Sequence, residues 1–353
     1  MGILGLGGFV VSPLGRCSRL QSMTPTPHDE LFKAVFKRTR EARALLRVAL
    51  PASVLEHLDL STLAPAEDRL PTPSGHREAD LVFTARIRGR DALVIFLVEH
   101  KSWFPADVAI QLLVYVALLL QQWMRDHGGP LPAVVPVVLY HGERPAPSSV
   151  GIDDLNDSSL PAGMLAWMPS FRVPILDLNR VSLDDLLERL GPTSERAAAA
   201  LAVMKSIRDE GLVDVVRRAA PVLRKSRVRR GGIEFEVDLL RYVLRAARHP
   251  PALEELDEVM AKHVDPRAGG VVMTLAEQLE KKGLEKGLEE GRVEGAAGEA
   301  RESLRRVLTL RFGQAPEASA ARIDAADLDM LRGWIDAAVL ADRLEDVFRS
   351  PDS

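Results

Sequence analysis

Two apolar runs separated by four residues constrain this chain more than any other feature. The first reads Ala79-Asp80-Leu81-Val82-Phe83-Thr84-Ala85-Arg86-Ile87, and the second Ala92-Leu93-Val94-Ile95-Phe96-Leu97-Val98-Glu99-His100-Lys101. Between them stands Arg88-Gly89-Arg90-Asp91. Glycine at the first central position suits a two-residue type II′ turn, so the runs predict a β-hairpin. With Gly89 and Arg90 as the loop, Arg88 faces Asp91, and stepping outward brings Asp80 opposite Glu99. Lys101, two residues beyond Glu99, projects from the same face. Three charged groups then meet at the end of an apolar ribbon.

That meeting has a cost. Directly opposed Cβ atoms lie about 5 Å apart, and two carboxylates at that range repel by roughly 3 kcal/mol at an effective dielectric near 20. A metal ion, a shared proton or Lys101 must offset it. The plainest arrangement is a strand-end salt bridge from Lys101 to one carboxylate, because charges are common at strand ends. A one-residue slip in pairing would turn Asp80 to the other face.

Asp80, then Glu99-x-Lys101 on the next strand, then a helix, resembles the PD-(D/E)XK nuclease core. The local wording is more specific. The chain carries His28-Asp29-Glu30-Leu31-Phe32-Lys33, Arg77-Glu78-Ala79-Asp80-Leu81-Val82 and Val98-Glu99-His100-Lys101-Ser102. Gln111-Leu112-Leu113-Val114-Tyr115 and Pro136-Val137-Val138-Leu139-Tyr140-His141-Gly142 follow. In this order the five blocks resemble the recombination-promoting nuclease (Rpn) family, the YhgA-like putative transposases, over residues 27–190. The chain departs from the family at Val114, where members often carry a basic residue, and at Ala146, near which they carry a Trp. Neither position is a metal ligand in the family pattern.

The resemblance implies a restriction-endonuclease-like α/β core followed by an all-α C-terminal region. It implies DNA as the partner, hydrolysis of its phosphodiester bonds as the reaction, and Mg²⁺ or Mn²⁺ as the cofactor. Asp80 and Glu99 become metal ligands, and Lys101 stabilises the charge that builds up on phosphorus. Gln111, on the following helix, positions the lysine or the water. Asp29 or Glu30 adds a carboxylate from the first helix, unless both serve only the helix macrodipole. The alternative class is a catalytically inactive, self-assembling interaction protein that keeps the fold. Joint retention of Asp80, Glu99 and Lys101 favours the enzyme, because a decayed site usually loses one of them.

With 353 residues the chain has room for two or three domains. Its net charge of −4 does not mark a nucleic-acid binder, so a local patch must carry any such contact. Arg217, Arg218, Arg224, Lys225, Arg227, Arg229 and Arg230 cluster around Pro221. They read either as a phosphate-contacting patch or as a solvated helix end. The single cysteine, Cys17, excludes an intramolecular disulfide and fits a reducing cytoplasm. The apolar stretch from Gly2 to Val11 follows no Lys or Arg and is too short to span a bilayer. Residues 1–26 therefore read as a disordered leader or a mis-called start, with a lipoprotein signal ending at Cys17 as the alternative. No membrane association is expected.

Along the chain, Asp29–Leu50 reads as one helix stopped by Pro51. Residues 60–75 are Pro-rich loop, in or near which the first of three core strands falls. A helix opens at Pro105-Ala106, carries Val108, Leu112, Tyr115, Leu119 and Trp123, and stops at Gly128-Gly129-Pro130. Strands follow at 133–140 and at Phe171–Leu178. The order α-β-β-β-α-β fits the implied core. Residues 191–270 form a helical region and 301–350 a small helical domain with Trp334 and Phe348 in its core. Between them, residues 271–300 carry Gly283, Gly287, Gly291 and Gly295 at four-residue spacing. In a helix these glycines stack into a ridge open to a second helix, which predicts a homodimer or higher oligomer. At about 1 kcal/mol each relative to Ala, they equally suit a weakly helical tether. His28, His100 and His141 lack zinc-site spacing and read as structural.

Overall fold

The computed structural model describes residues 26–348, apart from 67–68, 73–74, 79, 89–92, 102–106, 231–232 and 314–316. It divides into two compact units that meet at Leu275 and Ala276.

The first unit opens with helices α1 (Pro27–Phe36), α2 (Thr39–Ala49) and α3 (Ala52–Leu55). Thr26 and Asp29 start α1 with a reciprocal capping box, and Pro27 supplies a preset first turn. The single helix expected over Asp29–Leu50 is two. Arg38 is extended, with φ −87° and ψ 128°, so the chain turns there. The turn lets Leu31, Phe32 and Phe36 of α1 share one core with Leu45 and Leu46 of α2. Neither Gly nor Pro marks it, so tertiary packing rather than local propensity breaks the helix.

Strand β1 (Leu58–Pro65) occupies the start of the segment expected as loop, followed by a separate ribbon of β2 (Arg69–Thr72) and β3 (Gly75–Glu78). Pro65 and Pro71 sit on an edge strand and a short strand, where a missing N–H is tolerated. Next come β4 (Leu81–Ile87), β5 (Leu93–Lys101) and α4 (Val108–His127). Strands β6 (Ala133–Tyr140) and β7 (Ser149–Gly151), the short α5 (Ala162–Leu165) and β8 (Arg172–Asp177) complete the α/β part. The six-stranded sheet has the order β1-β4-β5-β6-β8-β7. Its β1, β4 and β5 are antiparallel, whereas β6 joins β5 in parallel after the α4 crossover.

Alternation along the strands gives the sheet two apolar faces. Leu81, Phe83, Phe96, Val137 and Leu139 face α1 and α2. Val82, Val138 and Tyr140 face Val108, Leu112, Tyr115 and Leu119 of α4. Gly128, at φ +61°, ends α4. Among the described residues α4 is the one helix long and apolar enough to cross a membrane, and here its apolar stripe lies against the sheet.

Helices α6 (Glu195–Ser206), α7 (Leu212–Arg230), α8 (Glu234–Ala246) and α9 (Leu253–Val259) follow in the first unit. Helix α6 is buried almost all round, and its run Ala197–Ala200 lets neighbours approach closely. These helices join the same core as α1, α2 and the sheet. Helix α10 (Val271–Phe312) leaves that core after Leu275. The second unit packs Leu304 and Leu308 of α10 against α11 (Glu317–Asp324), α12 (Leu328–Leu340) and α13 (Leu344–Val347). Trp334 and Phe348 meet edge to face within it, at 5.1 Å between centroids.

Candidate active site

The hairpin pairs Leu81 with Val98 through Arg86 with Leu93, the register that a Gly89-Arg90 loop predicts. The loop itself lies outside the described residues. One step beyond Leu81 and Val98 come Asp80 and Glu99. Asp80 stands at the bend before β4, where its Oδ2 accepts from the backbone N–H of His100 at 2.8 Å. Its Oδ1 lies 3.8 Å from Lys33 Nζ on α1. Glu99 pairs with Val138 and Lys101 with Tyr140 of β6. The side chain of Glu99 lies outside the described residues, and Lys101 is partly buried.

Asp29 reaches the same strand end from α1. Its Oδ1 lies 3.4 Å from His100 Nδ1 while its Oδ2 serves the cap at Thr26. Hydrogen bonds from the His100 ring and from Thr26 hold its carboxyl well below the usual carboxylate range. Capping and contact with the strand end are therefore both its roles. Glu30 turns away and pairs with Arg245 on α8. Gln111 sits in the first turn of α4, with Nε2 3.4 Å from the Tyr115 hydroxyl.

The three histidines, unrelated in sequence, converge beside Asp29. His100 Nε2 and His141 Nε2 are 2.6 Å apart, and the rings stack at 4.7 Å between centroids. Two nitrogens bound tetrahedrally to one zinc would stand about 3.3 Å apart. This pair stands at hydrogen-bond distance instead. His28 lies 4.7 Å from His141, ring to ring, and its Nδ1 meets the Tyr242 hydroxyl at 2.9 Å. Arg208 closes the cluster on the His141 ring and carbonyl. Burial lowers the His28 imidazole to about 4, and the neighbouring His100 ring and Arg208 guanidinium add to the effect. Burial drives His141 down further and pushes the Tyr242 phenol up. Reading the histidines singly missed this cluster. The signal available was that each stands in a different motif block, and the blocks meet at one end of the sheet.

Asp80 offers the hard oxygen donors that Mg²⁺ or Mn²⁺ prefers, and its neighbour in register is a second carboxylate residue. The donor types suit such a cation. Among the described residues no group of three His, Cys, Asp or Glu could hold a metal. Magnesium sites commonly rest on one or two carboxylates, with water and phosphate completing the shell.

The basic cluster divides. Arg217 pairs with Asp214 and with Glu255, and Arg218 with Asp184. Arg224 and Lys225 are exposed and line a cavity of about 730 Å³, with Lys262 and His263 also on its wall. The side chains of Arg227, Arg229 and Arg230 lie outside the described residues.

Residues 26–232 match the profile of the family described as "Putative transposase, YhgA-like". The chain belongs to that family. It is similar to recombination-promoting nuclease RpnD of Escherichia coli O157:H7, at 26% identity over 72% of this chain and 95% of that one. It is 25% identical to recombination-promoting nuclease RpnA of E. coli K12, over 74% of this chain and 86% of the relative. A third relative, the inactive recombination-promoting nuclease-like protein RpnE of the same strain, is 25% identical over 74% and 84%. No solved structure matches.

Proposed function

We propose that the protein is a metal-dependent DNA endonuclease of the PD-(D/E)XK type that acts in recombination or transposon-like mobility. The observation that carries this is the hairpin register, which ends with Leu81 opposite Val98, so that Asp80 and Glu99 come one step beyond it and Lys101 two residues after Glu99. Relatives named as nucleases over most of the chain support it. So does the run β1-β4-β5-α4-β6 after the N-terminal helices α1, α2 and α3, with three antiparallel strands followed by a helical crossover to a parallel one. This is the arrangement expected of that core, interrupted by the β2-β3 ribbon.

In this reading Asp80 and Glu99 hold Mg²⁺ or Mn²⁺. When bound, the cation supplies Lewis-acid polarisation of the phosphate and a water of lowered pKa. Lys101 places its ammonium where negative charge grows on the phosphorus oxygens. Gln111 orients that lysine or the attacking water, and Asp29 adds acceptor capacity from α1. Arg224, Lys225 and the neighbouring basic residues of α7 hold the DNA backbone by its phosphates, with Lys262 across the cavity. The test is nicking of supercoiled plasmid by the purified full chain. Nicking should require Mg²⁺ or Mn²⁺ and should stop with Asp80→Ala. Metal-independent nicking, or none under any condition, refutes the proposal.

A second reading is favoured by α10. Glu280–Gly295 is exposed on every side, and nothing lies within 4 Å of a Cβ placed at Gly283, Gly287, Gly291 or Gly295. An inactive protein that self-assembles through this helix would use that surface, and some relatives are named inactive.

A further inference from the structure

Every hydrogen-bonding role in the row Asp29–His100–His141–Arg208 is fixed by its ends. Asp29 is a carboxylate and only accepts, so the His100 nitrogen facing it, Nδ1, carries the hydrogen. A neutral His100 then accepts at Nε2, and His141 Nε2, 2.6 Å away, must donate. That leaves His141 Nδ1 as an acceptor. The group facing it, at 3.4 Å, is Arg208 Nη1, which only donates. Assignment from either end gives the same tautomers. The row runs from a guanidinium to a carboxylate with every dipole aligned, in a site where both rings are buried.

The row also holds the strand end that carries the candidate chemistry. His100 stands between Glu99 and Lys101, and its backbone N–H binds Asp80 Oδ2. His141 grips twice, with its ring on His100 and its backbone N–H on the Lys101 carbonyl at 3.2 Å. We infer that His100, His141 and Arg208 are positioning residues. Their polarised row fixes the end of β5 and so sets where Asp80, Glu99 and Lys101 present their groups. This rests on the nuclease reading for what is positioned, but not for the row itself. Displacement of a reacting group by about 1 Å is enough to cost about 10²-fold in rate.

Two substitutions at one position separate positioning from packing. Glutamine at 141 can donate from its amide N–H to His100 and accept from Arg208, whereas leucine can do neither. His141→Gln should keep nicking within about fivefold of wild type. His141→Leu should lower kcat by about 10²-fold with KM for DNA unchanged. Thermal melts confirm that both variants fold. Mn²⁺ binding to the full chain, read by electron paramagnetic resonance, provides an activity-free measure of the same geometry. His141→Leu should weaken it about tenfold and His141→Gln should not. ¹⁵N imidazole spectra should show His100 as the Nδ1–H tautomer and His141 as the Nε2–H tautomer, and Arg208→Met should mix the latter. Opposite tautomers in wild type overturn the row. Equal Mn²⁺ affinities in the two folded His141 variants, or affinities that Asp80→Asn leaves unchanged, overturn the positioning role. Wild type that binds Mn²⁺ as described but never nicks DNA overturns the nuclease reading and leaves the positioning intact.

Discussion

Acid should loosen the first unit, and the buried imidazoles set how much. His28 is held near 4 from an ordinary value of 6.5, and His141 is held lower still. Between pH 7 and pH 5 the unfolded chain binds protons at these two positions that the folded chain refuses. Stability therefore falls as pH falls through that window. A fully sequestered imidazole loses about 2 kcal/mol over those two units. His141 is almost completely buried and should show the whole effect. His28 is part-exposed, so its share is discounted to about 1 kcal/mol. Asp29 does not mask the loss, because its depressed carboxyl contributes fully at any pH above its ordinary value of 3.8. The other groups facing the cluster are Arg208, which stays charged, and Tyr242, which burial keeps neutral.

The sum is about 3 kcal/mol, and with a urea m-value of about 3 kcal/mol per M the midpoint falls by about 1 M. Two units give two overlapping transitions in a bulk spectrum. Hydrogen exchange pulsed across a urea series, read on peptides covering α1 and β6, isolates the unit that holds the cluster. The double variant His28→Gln/His141→Gln removes both titrations and keeps hydrogen-bonding capacity, so its midpoint should move far less. A wild-type midpoint that is equal or higher at pH 5 refutes the reasoning. So does a double variant that loses as much as wild type.

Asp80→Ala, Glu99→Ala and Lys101→Ala should each lower plasmid nicking by about 10²-fold or more with folding retained, and full nicking by Asp80→Ala would remove this site from the chemistry. Neutralising Arg224 and Lys225 should weaken DNA binding regardless of sequence and flatten its salt dependence by roughly one unit of slope per lost phosphate contact; an unchanged slope returns the patch to a solvated helix face. Sedimentation of the full chain against a version stopped after Glu280 tests the glycine ridge. A dimer that becomes a monomer supports it, whereas two monomers across the micromolar range, or two dimers, exclude it.

How much could be read from the sequence depended on how local the determining interactions are. The hairpin register was legible because two bounded apolar runs and the one glycine between them fix it within about twenty residues. Strand β6 was legible as a bounded apolar run, and the end of α4 from Gly128. The break at Arg38 was not, because it exists to fold two helix faces into one core and no local residue announces it. Strand β1 was obscured by the prolines that follow it. The histidine cluster was illegible for a stronger reason. Its members are 72 and 41 residues apart, counted from His28 to His100 and from His100 to His141, and only the sheet and α1 bring them together.

The cluster also bears on where the first unit ends. The family match stops at residue 232, yet Tyr242, which caps His28, lies beyond it on α8. Arg245 on the same helix holds Glu30, so α8 grips α1 at two neighbouring points. Helix α1 carries Asp29, and Asp29 closes the row that holds β5. Arg208, at the other end of the row, comes from the turn between α6 and α7. The helices after the sheet are thus not an appendage to a self-sufficient α/β core. They supply the phenol and the guanidinium around the buried imidazoles, and they share one apolar core with the sheet through Leu275. Four of the E. coli relatives align with 72 to 75% of this chain, more than the family profile covers. That longer span is what a unit built in this way requires.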